Sequence, residues 1–395
     1  MRPRFRLLAA AMLLLTAAGC AGAGGDSPSG WTATTRRGAA PGAAGPAGST
    51  PAVPAPPASA PEFAALPGWG ADFHAAAVPA LRRSCERLLR QPVHYPVGPA
   101  GAAGTVADWH GPCRAAAELP PSDDAAARAF FERHFEPVRV GGDGDQAGLF
   151  TGYYEPILRG SWKRTATHSV PLYAAPAKSK RMPTRAQIQK GALAGRGLEL
   201  MWVDDPMDAF FLEVQGSGRV RMTDGTIVGV DYASQNGHAY FPIGKALIRW
   251  GEVDAEAMSM GAIRDWLKRN PDRARALLAM NRSHVFFKLR EGEGARGAMG
   301  VPLTAGRSLA IDPKHLPMGA PMWIDVADAP TADRTIRRLV VAQDTGGAIK
   351  GAVRGDLFWG VGDEAGAAAG RMRARGRAWM LLPRERATAT ARASR

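Results

Sequence analysis

The sequence predicts a mainly β protein with a helical excursion in its middle, and three observations predict it. Short apolar runs recur after Pro302, at residues 307–311, 322–326, 338–343 and 377–382, and turn residues separate them. Runs at 210–215 and 219–222 flank Gly216-Ser217-Gly218, and Asp224-Gly225, a tight hairpin dipeptide, leads into a further run at 227–230. Helical spacing of apolar residues is confined to 72–90, 123–135 and the stretch 243–280. That stretch divides into 243–250, 255–268 and 272–280, with Asn270-Pro271 separating the last two. Strands and helices do not alternate in the doubly wound manner, and no internal repeat is present.

Apolar residues make up 46% of 395, enough for a packed core and too many for a chain disordered throughout. The length suits two domains. The formal charge is +14, but it sits at the ends: residues 1–60 carry +4 and residues 371–395 carry +7, which leaves +3 for residues 61–370. A nucleic-acid-binding face needs clustered Lys and Arg within the fold, so no nucleic-acid partner is expected. The Arg-rich residues 385–395 read as a solvated, disordered tail.

The first 19 residues read as a signal peptide. Three Arg in Met1–Arg6 precede the apolar run Leu7–Leu15, which is too short to span a bilayer. The following Ala17-Ala18-Gly19-Cys20 resembles a bacterial lipoprotein processing signal, which implies lipidation at Cys20. Ala21, rather than Asp, follows Cys20, so the expected location is the outer membrane, facing the periplasm. Residues 20–61 are Ala, Gly, Pro and Ser with few large apolar side chains, a tether of reach on the order of 35 Å.

Cys85 and Cys113 remain, an even pair in an exported chain, and fit either a disulfide or two buried thiols. No two of the eight His lie within five residues of each other, so no local zinc spacing exists, and neither a metal nor another cofactor is expected. Asp344-Thr345-Gly346 matches the aspartic-protease triplet. It occurs once, where that chemistry needs two facing carboxylates.

The informative constellation lies in the C-terminal half. It comprises Ala310-Ile311-Asp312-Pro313, then Val341-Ala342-Gln343-Asp344-Thr345-Gly346-Gly347, then Arg354-Gly355-Asp356-Leu357-Phe358-Trp359. Asp is a poor strand former, so three Asp beside apolar strands suggest a polar cluster at a barrel mouth. Asp312 fits ordinary turn chemistry. Asp356, between Gly355 and the apolar Leu357-Phe358-Trp359, is where desolvation would keep a carboxylic acid protonated.

These motifs resemble the three-aspartate, or 3D, domain of the membrane-bound lytic murein transglycosylase A family. The resemblance extends upstream to Phe150-Thr151-Gly152-Tyr153-Tyr154-Glu155-Pro156, Pro183-Thr184-Arg185-Ala186-Gln187-Ile188, Phe211-Leu212-Glu213-Val214-Gln215-Gly216-Ser217-Gly218, Tyr232-Ala233-Ser234-Gln235-Asn236-Gly237-His238-Ala239-Tyr240 and Asn281-Arg282-Ser283-His284-Val285-Phe286-Phe287. Arg282 and His284 depart from the family's usual Pro and aromatic.

The resemblance implies a double-psi β-barrel domain built from two chain segments, 62–158 and 288–384, with a smaller β domain, 159–287, inserted between them. It implies cleavage, without water, of the β-1,4 bond between N-acetylmuramic acid and N-acetylglucosamine in peptidoglycan strands. Asp356 would then be the catalytic acid and base, Asp344 an orienting partner, and Asp312 structural. Gln215, Ser217, Tyr232 and Asn236 become candidate sugar or peptide contacts, while Tyr153 and Tyr154 fit either sugar platforms or core packing. A monomer is expected, with complexes among cell-wall enzymes as conceivable partners. The competing class is a polysaccharide-binding lipoprotein on the same barrel that does not cut.

Overall fold

The computed structural model describes residues 63–142, 147–177, 182–290, 292, 294–384 and 386. The signal peptide, Cys20, the tether and all of the basic tail except residue 386 lie outside the described residues. Among those described, no helix is long and apolar enough to cross a membrane.

The strands are β1 (Phe135–Arg139), β2 (Gly148–Glu155), β3 (Ile157–Ser161), β4 (Val170–Tyr173), β5 (Glu199–Val203), β6 (Ser217–Met222), β7 (Ile227–Gln235), β8 (Val285–Leu289), β9 (Ser308–Ala310), β10 (Pro321–Ala327), β11 (Thr335–Asp344), β12 (Arg354–Val361) and β13 (Arg373–Pro383). The helices are α1 (Val78–Leu88), α2 (Val106–Glu118), α3 (Asp124–His134), α4 (Arg185–Gln189), α5 (Pro206–Gln215), α6 (Gly244–Arg249), α7 (Met260–Arg269), α8 (Pro271–Met280) and α9 (Gly362–Arg371).

One sheet closes on itself in the order β13-β10-β11-β9-β12-β2 and back to β13, with β1 added alongside β13. The pairs β11–β9 and β12–β2 are parallel and the other pairs around the ring antiparallel, so this is the closed, mixed six-stranded barrel expected of the double-psi plan. The period of two along β11 sorts its side chains. Val340 and Ala342 enter the barrel core with Phe150, Leu309, Ile324 and Leu357. Leu339 and Val341 face outward, where α1, α2 and α3 cover them together with Trp323 and Trp379. Cys85 of α1 and Cys113 of α2 are joined by a disulfide.

The second sheet runs β4-β5-β3-β6-β7-β8. The chain changes sheets at Pro156, slightly before residue 158, because Ile157 already pairs with Arg219. Nor does the second sheet end at 287, since β8 runs to Leu289. Two sequence expectations need further correction. Residues 210–215 form the end of α5, not a strand preceding a hairpin. Asp205 caps that helix by accepting from the Met207 N–H at 2.7 Å, Pro206 opens it, and Gly216 ends it with a φ of 83°. The helix expected from 255 begins at Met260, where Ser259 accepts from the Ala262 N–H. Helices α2 and α9 were not anticipated.

The two passes of the chain between the sheets are tied by buried charge. Glu155, the last residue of β2, is wholly inaccessible, and it pairs with Arg290, the first residue after β8. Arg219 adds a 2.9 Å bond to the same carboxylate, and Arg290 Nε donates to Asp231 at 2.9 Å. Removing one partner of such a cluster strands the others. Glu155→Ala should therefore cost about 3–5 kcal/mol. Arg334→Ala, which breaks an exposed pair with Asp328, should cost less than about 1 kcal/mol. Urea unfolding of both variants measures the difference; equal losses would contradict the assignment.

Candidate active site

Four strands of the barrel bring one row of residues to the same level. Thr151 on β2 pairs with Asp356 on β12, Asp356 with Ala310 on β9, and Ala310 with Asp344 on β11. Directly paired residues share a face of the sheet, so Thr151, Asp356 and Asp344 present their side chains together. Two strand spacings separate the aspartates, which puts their Cα atoms about 10 Å apart.

A β-bulge makes this possible. Ala342 pairs with Leu309 and Asp344 with the next residue, Ala310, so Gln343 is extra. Without it, Asp344 would follow Val340 and Ala342 into the barrel core. Gln343 is fully buried and pinned: its amide donates to the Ala80 carbonyl at 2.8 Å and Ser84 Oγ at 3.0 Å, while its oxygen accepts from Ser308 Oγ at 2.6 Å.

The two aspartates have different surroundings. Asp344 Oδ1 accepts the N–H groups of Ala298 and Thr345, both at 2.8 Å, and Oδ2 accepts the Tyr153 hydroxyl at 2.9 Å. Burial raises its pKa, and these three bonds only partly offset the rise. The loop carrying Ala298 comes this close because Gly297 has no side chain. A Cβ there would lie 2.4 Å from the Gln343 carbonyl oxygen and 3.1 Å from Asp344 Cβ.

Asp356 is half-buried and, among the described residues, accepts one bond, from Thr151 Oγ1 at 2.5 Å. A hydroxyl has one proton to give, so the contact between Thr151 Oγ1 and Arg354 Nη2, 2.8 Å, runs from the guanidinium to the hydroxyl. Burial pushes the Asp356 pKa up to about 6; the Thr151 bond and the Arg354 charge oppose the rise, and the Asp344 charge adds to it. The arrangement can hold a proton on one carboxyl group near neutral pH and release it to a bound acceptor. Burial also raises the Tyr153 pKa well above 10, with Asp344 adding to the effect, so this phenol is a donor.

The remaining candidates are dispersed. Asp312 is buried and binds the backbone N–H groups of Gly351 at 2.9 Å and Lys314 at 3.2 Å. Burial works to raise its pKa, but these bonds together with the nearby positive charge of Lys350 and His315 outweigh it and leave the pKa lowered. Tyr153 and Tyr154 are both buried, which fits the core-packing side of the two alternatives. The Tyr153 ring packs against Phe358 and its hydroxyl holds Asp344, while Tyr154 packs on Gly366 of α9. Gln215 caps the Tyr154 N–H at 3.0 Å, about 10 Å along β2 from the Asp356 row. Ser217 is half-buried at the start of β6, and Tyr232 is exposed on β7. Asn236 is buried and saturated. It donates to the carbonyls of Pro183 and Arg282, both at 2.9 Å, and accepts from the N–H groups of His284 at 3.0 Å and His238 at 3.4 Å. It holds loops together and has no valence left for a sugar. Among the described residues, no three His, Cys, Asp or Glu gather as a metal ion would need.

Sequence reasoning missed Thr151 and Arg354 as neighbours of Asp356. Arg354 lies two residues before it, and Thr151 stands in the quoted aromatic stretch, but neither position marks its contact.

Comparison with known proteins agrees with this fold. The family profile described as the MltA specific insert domain matches residues 149–288, and the 3D domain profile matches residues 307–382. Membrane-bound lytic murein transglycosylase A of Vibrio cholerae is 40% identical over 268 residues, 66% of this chain and 72% of the relative. The crystal structure of membrane-bound lytic murein transglycosylase from Agrobacterium tumefaciens aligns with a TM-score of 0.76 at 34% identity, over 83% of this chain and 98% of that one. The Escherichia coli MltA structure with bound chitohexaose aligns with a TM-score of 0.65 at 34% identity, over 78% and 89% of the two chains.

The contact between Thr151 and Asp356 favours the ionised carboxylate, so Thr151→Val should raise the Asp356 pKa above its value of about 6. A carboxyl-carbon NMR titration measures it. A midpoint that stays or falls would contradict the contact.

Proposed function

The chain belongs to the membrane-bound lytic murein transglycosylase A family, and from that premise we propose that it is a peptidoglycan lytic transglycosylase working through one carboxyl group, Asp356. Protonated Asp356 gives its proton to the glycosidic oxygen as the bond from C1 of N-acetylmuramic acid to that oxygen breaks. The 6-hydroxyl of the same muramic residue then attacks C1, and the Asp356 carboxylate takes the hydroxyl proton. The acid is regenerated, the product is 1,6-anhydromuramic acid, and no water is consumed.

The observation that carries this reading is the contrast between the two aspartates. Ordinary glycosidases need a second carboxylate as nucleophile or water-activating base. Here Asp344 has both oxygens engaged by Ala298, Thr345 and Tyr153, which suits a fixed, polarising neighbour. Asp356 accepts a single hydrogen bond from the described residues and has a pKa of about 6, near the value an acid that later acts as base requires. Thr151, Arg354 and Tyr153 act through the aspartates and are positioning residues. Exposed Tyr232 and half-buried Ser217 and Gln215 are the remaining candidate glycan contacts. Lipidation of Cys20 would hold the enzyme on the outer membrane, facing the periplasm, and the mass of the mature N-terminus reads this directly.

Asp356→Asn keeps the shape and loses the transferable proton. Incubated with murein sacculi, it should release anhydro-muropeptides at less than about a thousandth of the wild-type rate, and Asp344→Asn should fall less far. Release by Asp356→Asn at more than a few per cent of the wild-type rate would refute the assignment. Wild-type protein that binds sacculi without releasing anhydro products would favour a binding protein.

A further inference from the structure

A concavity lies between α4 and the end of β7 in the inserted domain, away from the aspartates, with a volume of about 1270 Å³. This exceeds the roughly 300–1,000 Å³ of small-molecule pockets, and leaves room for a peptide. Among its described lining residues the cationic side chains are Lys190, Arg196 and Arg282, and none is acidic. All three cations are exposed, and no described residue pairs with them. Ser234 adds a hydroxyl that can both donate and accept, as a peptide backbone requires, while Thr184 and Gln187 hold each other in the cap of α4.

The walls are fixed by the side chain that the sequence had suggested for sugar binding. Asn236 joins three of the segments lining the pocket, through the Pro183 and Arg282 carbonyls and the N–H groups of His238 and His284. The contact of His238 Nε2 with the Met182 carbonyl, 2.9 Å, closes the same corner. The pocket is therefore ordered before any ligand arrives, which lowers the entropic cost of binding.

We propose that this basic pocket binds the carboxylates of the peptide stem carried by muramic acid, so that the inserted domain reads the peptide while the barrel cuts the glycan. The proposal rests on the peptidoglycan reading above. Its geometry follows β7: Asp231 is tied to the crossing between the sheets by Arg290, and Gln235, four residues on, lines the pocket. Those four residues span about 13 Å. An extended stem of four residues spans at most about 14 Å, so a muramic residue of the strand lying at the crossing, about 13 Å along β2 from the one at Asp356, can lay its peptide in the pocket.

Binding, not turnover, is the test, which separates this proposal from the catalytic one. Titration calorimetry of the full chain carrying Asp356→Asn compares a soluble muropeptide bearing its stem with the same glycan stripped of peptide by an amidase. The stem should tighten binding at least tenfold at low salt. Lys190→Glu with Arg282→Glu should abolish that gain, with circular dichroism confirming the fold, and Lys190→Arg should keep it. Equal affinity for the two ligands, or a gain that survives charge reversal, would overturn the proposal. Failure of the anhydro-product assay would count against the reaction and leave this binding result to stand by itself.

Discussion

The pairing of Glu155 with Arg290 is the constraint on which the rest of the molecule depends. The chain leaves the barrel after Glu155 and comes back after Arg290, so both crossings meet in one buried ion cluster. Arg219 on β6 and Asp231 on β7 complete it, so the outgoing strand, the inserted hairpin and the returning strand share one set of charges. Buried charges tolerate little displacement, because a carboxylate moved from its guanidinium inside the protein recovers no hydration. The relation between barrel and inserted sheet is thereby fixed through the same strand, β2, that carries Thr151 to Asp356.

The site uses the barrel's own grammar and one exception to it. Alternation sends apolar residues inward along β11 and β12, and the row of polar side chains forms on the other face. Asp344 joins that row because Gln343 breaks the alternation, and a buried hydrogen-bond set keeps it broken. Burial then separates the two carboxyl groups chemically. Among the described residues Asp344 receives three donors and is held in place, while Asp356 receives one and has a pKa of about 6. A single reversible proton carrier is what an intramolecular ring closure needs.

Much of the fold was legible because strand periodicity and turn residues are local. The runs at 322–326 and 377–382 correspond to parts of β10 and β13, and the aspartates announced themselves as poor strand formers beside apolar runs. The α5 helix was misread because Phe210 and Phe211 suit a strand, although Asp205-Pro206 and Gly216 are ordinary start and stop signals. The site's second half was illegible for a physical reason. Thr151 and Arg354 meet across 203 residues of sequence, and Thr151 and Asp356 across 205. Burial was equally hidden: Tyr153, Tyr154 and Asn236 have side chains suited to sugar contact, but the packing engages them inside the protein.

The central claim is that one carboxyl group and the substrate's own hydroxyl suffice, without water as nucleophile. Digestion of sacculi in ¹⁸O-labelled water, followed by mass spectrometry of the released muropeptides, tests it most directly. The account predicts anhydro products carrying no solvent oxygen, even at early time points. Muramic ends that gain one ¹⁸O at C1 as the primary product would contradict it, because the attacking group would then be water.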